Sequence, residues 1–287
     1  MNRKKITALA LTAAISAAVL AGCGSSAASS AAPAADSAAD SATTDTAASA
    51  DLLSQIRERG TITVAMEGTW APWTYHDEND NLVGYDVEVA TLIAEKLGVE
   101  PEFIEGEWDG LLAGLDAGRY DIMVNGVDIT EERQLKYDFS TPYAYNRTAV
   151  IVKSDDDSIQ SMEDLKGKKT ANTISSTYAQ LAEQYGADVT GVDDLNQTFE
   201  LLNSGRIDAT LNAEVTFYDY TKEHPDANVK IAVLTQDANE VAIPLRKGDE
   251  TATLREAINT AIDELRASGQ LKDLSEKYFG TDISSND

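Results

Sequence analysis

A short stretch of sequence occurs twice, and it limits the folds that this chain can adopt more than any other feature. Residues 115 to 125 read LDAGRYDIMVN and residues 202 to 212 read LNSGRIDATLN. Each copy has the pattern of a helix end, a Gly-Arg-X-Asp turn, a buried strand and a closing asparagine. We interpret the two copies as the same βαβ unit, used once in each of two lobes.

The rest of residues 51 to 287 alternates between apolar segments of strand character and helical patterns. A helix after Asp86 carries its apolar residues on one face and ends at Gly98. Strands that alternate with helices indicate an α/β architecture with largely parallel sheets. The predicted strands are residues 61–66, 121–124, 148–152, 207–211, 229–233 and 241–245.

A binding cleft is expected where the two copies of the unit end. Ligands of open α/β sheets bind beyond the carboxyl ends of the strands, because the loops there diverge. This rule predicts residues 125–133 on one wall of a shared cleft and residues 212–214 on the other.

Arg133 is the residue of the first wall that most needs an explanation. Thr130 is predicted to be the N-cap of a helix. Glu131 and Glu132 would lie in its first turn, where a negative charge interacts favourably with the helix dipole. Arg133 is then free to hold a carboxylate in the cleft through two charge-assisted hydrogen bonds. A surface ion pair with Glu131 or Glu132 is the alternative, and spacing alone leaves both open.

The N-terminus has the pattern of an export signal. Three basic residues at positions 3 to 5 precede an apolar run from residue 6 to residue 20, which is shorter than the roughly 20 residues of a membrane-spanning helix. The run ends in Leu20-Ala21-Gly22-Cys23, which resembles the lipobox of bacterial lipoproteins, where the cysteine is acylated. Cys23 is the only cysteine, so no internal disulfide can form.

The segment that follows Cys23 is a predicted tether. Residues 24–50 are small and polar and have almost no large apolar side chains. Such a segment cannot bury enough surface to offset the entropy of ordering. We therefore expect residues 1–23 to be a lipoprotein signal peptide and residues 24–50 to be a disordered Ala/Ser-rich linker.

Charge and composition exclude several functions. The formal net charge is −26, which argues against binding nucleic acid or an anionic membrane surface. His76 and His224 lie in loop-like stretches, and no nucleophile–base pair with a plausible spacing occurs. Residues 77–82 fail as a calcium loop because Leu82 stands where glycine is needed, so we expect a hairpin turn there. No metal, no cofactor and no catalytic residue is predicted.

Several ordered motifs resemble the extracellular solute-binding proteins, family 3, which serve ABC importers of polar amino acids. The resemblance covers residues 51–280 and is carried by residues 68–98, 108–133, 137–143, 164–169 and 265–280. It implies a bilobal periplasmic-binding-protein-like fold of two α/β lobes joined by two hinge strands.

The resemblance also implies lobe boundaries. The hinge strands would lie near residues 148–153 and 238–245. Lobe 1 would then consist of residues 51–148 plus 242–287, and lobe 2 of residues 149–241.

The resemblance assigns roles on the first wall. The arginine of the Ile-Thr-X-X-Arg motif, here Arg133, binds the α-carboxylate of the ligand, within a loop that includes Asn125 and Gly126. Trp70 and Trp108 correspond to the aromatics that clasp the ligand side chain, whereas Trp73 is expected in the core.

The resemblance leaves the specificity of the site open. Glu67 falls where members that bind cationic amino acids carry an acidic residue. Members that bind neutral ligands often have glutamate there too.

The second wall shows two departures from the family pattern. The ligand-binding loop here begins at Thr173, and Ser176 and Thr177 keep the hydroxyls that reach the carboxylate, although Ser175 replaces the usual glycine. The aspartate that commonly follows Asn212 and holds the ligand ammonium is Ala213 here.

Two carboxylates could take over the role of the missing aspartate. Glu214 follows Ala213 directly, and Asp128 is a carboxylate on the opposite wall. We predict that Asp128 pairs with the ammonium; Glu214 is the rival, and a structural pair between Asp128 and Arg133 is a further alternative.

The function implied is capture of a free amino acid for an ABC importer permease, by a monomer that touches the membrane only through its lipid. Two other classes stay open. A dehydratase-type enzyme on the same fold could use Glu67, Asp128 or Glu214 as a general acid. A ligand-sensing domain is the third class.

Overall fold

The computed structural model describes residues 51–286, which form a mixed α/β protein. The predicted signal peptide, the lipidation site Cys23 and the predicted linker lie outside the described residues. The helices are α1 Leu52–Arg59, α2 Tyr85–Leu97, α3 Trp108–Asp116, α4 Glu131–Lys136, α5 Thr177–Gln184, α6 Leu195–Asn203, α7 Glu214–Glu223, α8 Asp249–Ala267 and α9 Gln270–Phe279, with a 3₁₀ turn at Met162–Leu165.

Fifteen strands occur among the described residues, several of them only two or three residues long. They are β1 Thr61–Met66, β2 Thr69–Trp70, β3 Thr74–His76, β4 Leu82–Val83, β5 Glu100–Glu105, β6 Ile122–Met123, β7 Tyr137–Phe139, β8 Ala144–Asn146, β9 Thr148–Lys153, β10 Lys169–Asn172, β11 Asp188–Gly191, β12 Ala209–Ala213, β13 Val229–Leu234, β14 Asn239–Val241 and β15 Pro244–Arg246.

The first lobe is built on a parallel three-stranded sheet in the order β5-β1-β6. Helices α1, α2, α8 and α9 pack on this lobe, and their apolar faces form its main core with β1. Helix α2 begins after Gly84 and ends at Gly98, whose positive φ of 78° stops the helix in a left-handed cap. This end agrees with the sequence prediction.

The second lobe is built on a five-stranded sheet in the order β11-β10-β12-β9-β13. Strand β10 is parallel to β11 and β12, whereas β9 is antiparallel to β12 and β13. The sheet is therefore mixed, because β9 enters it from the first lobe in the opposite direction. Helices α5, α6 and α7 cover it, and apolar clusters lie on both faces of the sheet.

Short antiparallel strand pairs join the two lobes. Strand β8 pairs with β14 where the chain passes between the three-stranded and the five-stranded sheets. Residues 148–153, which the sequence analysis predicted as a strand near a hinge, form β9 of the second sheet directly after β8. The predicted strand 241–245 is divided, because residue 241 pairs with β8 whereas residues 244–246 pair with β7.

Local predictions from sequence agree with the structure at several points. Residues 77–81 form the turn of a β3–β4 hairpin, in which Asn81 N and Nδ2 donate to Asp77 and Leu82 begins β4. Trp73 is 1% exposed and belongs to the core of the first lobe, as predicted. In residues 51–286, no helix combines the length and the apolarity needed to cross a membrane.

Candidate functional site

A cavity lies between the lobes, beyond the carboxyl ends of β1, β6, β10 and β12. The space free of protein atoms in and around it is about 530 Å³, part of which is open solvent. Both lobes contribute to its wall. The lining residues are Glu67, Trp70, Trp108, Gly126, Asp128, Arg133, Asn172, Thr173, Ser176, Thr177, Tyr178, Asp194, Leu195, Thr198 and Asn212.

Arg133 lies in this cavity and is only 7% exposed. Thr130 caps α4 by accepting from the main-chain N–H of Arg133, as predicted. The guanidinium Nη1 donates to the main-chain oxygen of Asp128 at 3.0 Å, and Nη2 donates to that of Ser175 at 3.4 Å. Arg133 makes no ion pair with any of the described residues, so the alternative of a surface pair with Glu131 or Glu132 is wrong.

Asp128 is a buried carboxylate on the same wall. Its Oδ2 accepts from the hydroxyl of Thr177 at 2.6 Å and from Asn239 Nδ2 at 3.4 Å. Burial raises the pKa of Asp128 to about 6, although the Thr177 hydrogen bond and the charge of Arg133 oppose the shift. Asp128 has no cationic partner within 4.0 Å among residues 51–286.

Glu67 follows β1 and is held by Asn125, which follows β6. Asn125 Nδ2 donates to Glu67 Oε2 at 2.7 Å, and Asn125 Oδ1 accepts from the main-chain N–H of Glu67 at 2.7 Å. Asn125 therefore supports Glu67 from behind and does not line the cavity itself. Burial raises the pKa of Glu67 to about 7.

Two tryptophans form the aromatic part of the wall. The Arg133 guanidinium lies over the ring of Trp108, and the Trp70 ring stacks on Trp73 with the centroids 5.3 Å apart. Gly126 lies against Trp70 with φ at +55°, and a Cβ there would stand 2.6 Å from the ring. Asp86 anchors this loop, because its Oδ2 accepts from the N–H of Gly126 at 2.6 Å.

The loop of the second lobe faces Arg133 and Asp128. Ser176 caps α5 by accepting from Ala179 N, and it donates its hydroxyl hydrogen to the main-chain oxygen of Thr173. Since Thr177 donates to Asp128, both predicted hydroxyl donors of this loop have acceptors within the protein. The first amides of α5 have no acceptor within the helix, so they are the donors that this loop offers to an anion.

Contacts between the lobes surround the cavity. Trp70 Nε1 donates to Asn212 Oδ1 at 3.3 Å. Asp109 Oδ1 accepts from both the N–H and the hydroxyl of Ser175, at 3.0 and 2.6 Å. Together with the Thr177–Asp128 hydrogen bond, these contacts hold the two walls against each other.

Glu214 is the predicted site residue that lies elsewhere. Its carboxylate accepts from Arg147 Nε and Nη2 at 2.8 and 2.9 Å, in a bidentate ion pair. It faces a groove near the C-terminal segment and does not line the cavity.

The sequence reasoning missed five cavity residues: Asn172, Tyr178, Asp194, Leu195 and Thr198. Asn172 ends β10, and Asp194 caps α6 just after β11. Both strands were absent from the predicted set, so the rule on carboxyl ends was not applied to them. In residues 51–286, no group of three or more His, Cys, Asp and Glu side chains is placed to hold a metal ion.

Comparison with known proteins identifies the family. Residues 62–281 match the bacterial extracellular solute-binding proteins, family 3, and the chain belongs to that family. A probable amino-acid ABC transporter-binding protein of Haemophilus influenzae is 39% identical over 235 residues, 82% of this chain and 91% of the relative. The L-cystine-binding protein TcyA of Bacillus subtilis is also 39% identical, over 84% of this chain and 89% of the relative.

Solved structures confirm the bilobal periplasmic-binding-protein-like fold. An ancestral arginine-binding protein bound to arginine is 40% identical, with a TM-score of 0.73 over 77% of this chain and 99% of the other. The unliganded, open L-cystine solute receptor of Neisseria gonorrhoeae is 42% identical over 82% and 99% of the two chains, but its TM-score is 0.54. At nearly equal identity the ligand-bound structure fits better, which agrees with the contacts between the lobes.

Proposed function

We propose that this chain is the lipid-anchored binding protein of an ABC importer and captures a free amino acid in the cavity between its lobes. The ligand leaves the site chemically unchanged. The relatives described above are named as binding proteins for amino acids, and family membership supports the importer as the partner.

The buried guanidinium of Arg133 is the observation that carries this proposal. A charge removed from water costs several kcal/mol unless it is paired. Arg133 meets only main-chain oxygens of Asp128 and Ser175 and the face of Trp108. An anion is therefore the missing partner, and the α-carboxylate of an amino acid fits between Arg133 and the first amides of α5.

Asp128 completes the site for the head group of the ligand. The α-ammonium of an amino acid lies two bonds from its carboxylate carbon, so its partner must stand close to Arg133. Asp128 lines the same cavity and lacks a cation, whereas Glu214 is occupied by Arg147. We assign the ammonium to Asp128, and its hydrogen bond with Thr177 then links the ligand to both lobes.

The lobes are proposed to open and close around the ligand as a hinge motion. Residues 51–148 plus 242–287 would move as one body and residues 149–241 as the other. This division is supported by the two separate sheets and by the short strand pair β8–β14 between them.

The anchor is proposed to be a lipid on Cys23, followed by a linker over residues 24–50. The protein would then act as an extracytoplasmic monomer whose only membrane attachment is the lipid. Cys23→Ala should release the protein from the membrane fraction. If the variant still partitions with membranes, the lipid is not the anchor.

Calorimetric titration of residues 51–287 with each amino acid and with cystine tests the proposal. We expect micromolar dissociation constants, about −8 kcal/mol, for at least one ligand, which is recovered unchanged. Arg133→Met should abolish this binding without loss of folded structure. Absence of binding, or turnover of the ligand, would contradict the proposal.

A further inference from the structure

We propose that Asn239 is a positioning residue of the binding site. Its side-chain amide holds the Asp128 carboxylate in the orientation that receives the ligand ammonium, and it ties that carboxylate to Thr148 at the start of β9. The inference rests on the proposed function, because it concerns an amino acid whose ammonium contacts Asp128.

The loop that carries Asp128 is attached to β14, one of the two short strands that join the lobes. Ile129 N donates to the main-chain oxygen of Glu240 at 2.8 Å, and residues 128 and 241 form an antiparallel bridge. The other edge of β14 pairs with β8. Asp128 therefore stands directly beside the connection between the lobes.

Asn239 begins β14, and its side chain contacts both Asp128 and β9. The Nδ2 group has two hydrogens. It donates to Asp128 Oδ2 at 3.4 Å and to the hydroxyl oxygen of Thr148, the first residue of β9, at 3.1 Å. The shorter bond to Thr148 fixes the plane of the amide, so the second hydrogen is directed at Asp128.

Asp128 depends on such donors because it is only 5% exposed and has no cationic partner within 4.0 Å among residues 51–286. The other side-chain donor is the hydroxyl of Thr177, which belongs to the second lobe and would leave Asp128 when the lobes open. Asn239 lies next to the residues of β14 that pair with the Asp128 loop, so we expect its contact to persist. It then holds the carboxylate in place before the ligand arrives, which lowers the cost of binding.

The same contact acts on the charge of Asp128. An N–H donor stabilises an ionised carboxylate, which is the form that attracts an ammonium. Loss of the donor should raise the pKa of Asp128, so the pH at which affinity is half its full value should rise as well. Arg133 and Tyr178 interact with the charge of Asp128, and Glu67 and Asp194 line the same cavity. All four stay unchanged in the variants below.

The experiment is calorimetric titration of the wild type and Asn239→Ala between pH 5 and pH 8, with the tightest-binding amino acid and its des-amino analogue. Asn239→Ala should weaken the amino acid by about tenfold at pH 7, because a hydrogen bond to a charged group is lost. The analogue lacks the ammonium and should bind as well as before, or better. The pH of half affinity should rise by up to about one unit.

Three further variants complete the design, and melting temperatures show which of them are folded. Asn239→Leu preserves the shape of the side chain and repeats the test if Asn239→Ala does not fold. Thr148→Val removes the acceptor in β9 but keeps the amide, so it should weaken the amino acid by about threefold and leave the analogue unchanged. Glu240→Ala shortens an exposed side chain of the same strand, keeps the main-chain bond to Ile129, and should match the wild type.

The outcomes separate this inference from the proposed function. If the Asn239 variants weaken the amino acid and the analogue alike, at an unchanged pH of half affinity, Asn239 is only structural and the inference is wrong. If Thr148→Val binds like the wild type, the tie to β9 is wrong. If Asp128→Asn has no effect on a wild type that binds, the inference fails and the capture of amino acids still holds. If no amino acid binds, the proposed function itself fails.

Discussion

The Cζ atom of Arg133 lies 5.4 Å from the centroid of the Trp108 ring, with the guanidinium over the face of the indole. Arg133 is the last residue of the Ile-Thr-X-X-Arg motif, and Trp108 is the first residue of α3. The ring therefore fixes a charged side chain that has no carboxylate partner within the described residues. This arrangement keeps the fork of Arg133 available for an anion and limits its loss of entropy on binding.

Replacement of Trp108 tests this support. Trp108→Leu should weaken ligand binding by about 1 to 2 kcal/mol, because a desolvated cation–π contact is lost. Trp108→Phe retains an aromatic face and serves as the matched control. The measurement is calorimetric titration of all three proteins. If Trp108→Leu binds as tightly as Trp108→Phe, the ring does not position Arg133.

The assignment of the ammonium to Asp128 predicts a specific pattern of affinities. Asp128→Asn should weaken the best amino acid by about 2 to 5 kcal/mol, because the ammonium loses its buried partner. The des-amino analogue of that ligand lacks the ammonium and should bind the variant as well as, or better than, the wild type.

Glu214→Gln is the control for Asp128→Asn, since Glu214 is paired with Arg147 outside the cavity. It should leave both affinities unchanged. If Glu214→Gln shows the loss and Asp128→Asn does not, the ammonium has been assigned to the wrong wall.

Binding should also depend on pH through Asp128. Burial raises the pKa of its carboxyl group to about 6 in the ligand-free protein, and only the ionised form attracts an ammonium. Affinity should therefore be complete about one unit above this pKa, be about half its full value near pH 6, and fall by up to about tenfold for each unit below it.

Glu67 lines the same cavity, and burial raises its pKa to about 7, so the wild type must be compared with Asp128→Asn. The other ionisable groups that face the cavity, Asp194, Tyr178 and Arg133, are shared by both proteins. The affinity of Asp128→Asn should change less between pH 5 and pH 7 than that of the wild type. Equal pH profiles would show that Asp128 does not contact the ammonium.

Gly126 should tolerate no side chain. Its positive φ and its contact with Trp70 mean that Gly126→Ala strains the backbone and displaces the ring. We expect a loss of about 1 to 3 kcal/mol in the free energy of unfolding, and weaker binding as well. Gly110→Ala, in open space on α3, should be neutral or slightly stabilising. Equal melting temperatures for both variants would contradict this account.

The contact between Asp109 and Ser175 should favour the closed state. Ser175→Ala removes the hydroxyl donor at 2.6 Å but leaves the main-chain donor. Small-angle scattering should show a larger radius of gyration for the ligand-free variant than for the ligand-free wild type, and equal values once ligand saturates both. An unchanged ligand-free profile would show that this hydrogen bond does not influence closure.

The sequence predicted the elements whose signals are local. The end of α2 at Gly98 and the Thr130 cap of α4 follow from residue types at fixed positions. The first wall was predicted because the repeated motif marks the end of β6. In contrast, β10 and β11 have short, half-polar sequences that no periodicity distinguishes, so Asn172 and Asp194 were missed.

Partners across the cleft could not be read from the sequence. Glu214 was a candidate because it follows Asn212, but Arg147, 67 residues earlier, lies beside it in the fold and pairs with it. The hydroxyl of Thr177 is likewise taken by Asp128, which is 49 residues away. Such pairs depend on the packing of two lobes, and spacing along one segment carries no information about them.

A crystal structure of residues 51–287 with the tightest-binding amino acid is the most direct test of the central claim. We predict that the α-carboxylate lies within hydrogen-bond distance of Arg133 and the first amides of α5. The α-ammonium should lie within hydrogen-bond distance of a carboxylate oxygen of Asp128. A ligand bound outside this cavity, or one whose ammonium pairs with another residue while Asp128 keeps only Thr177 and Asn239, would contradict the account.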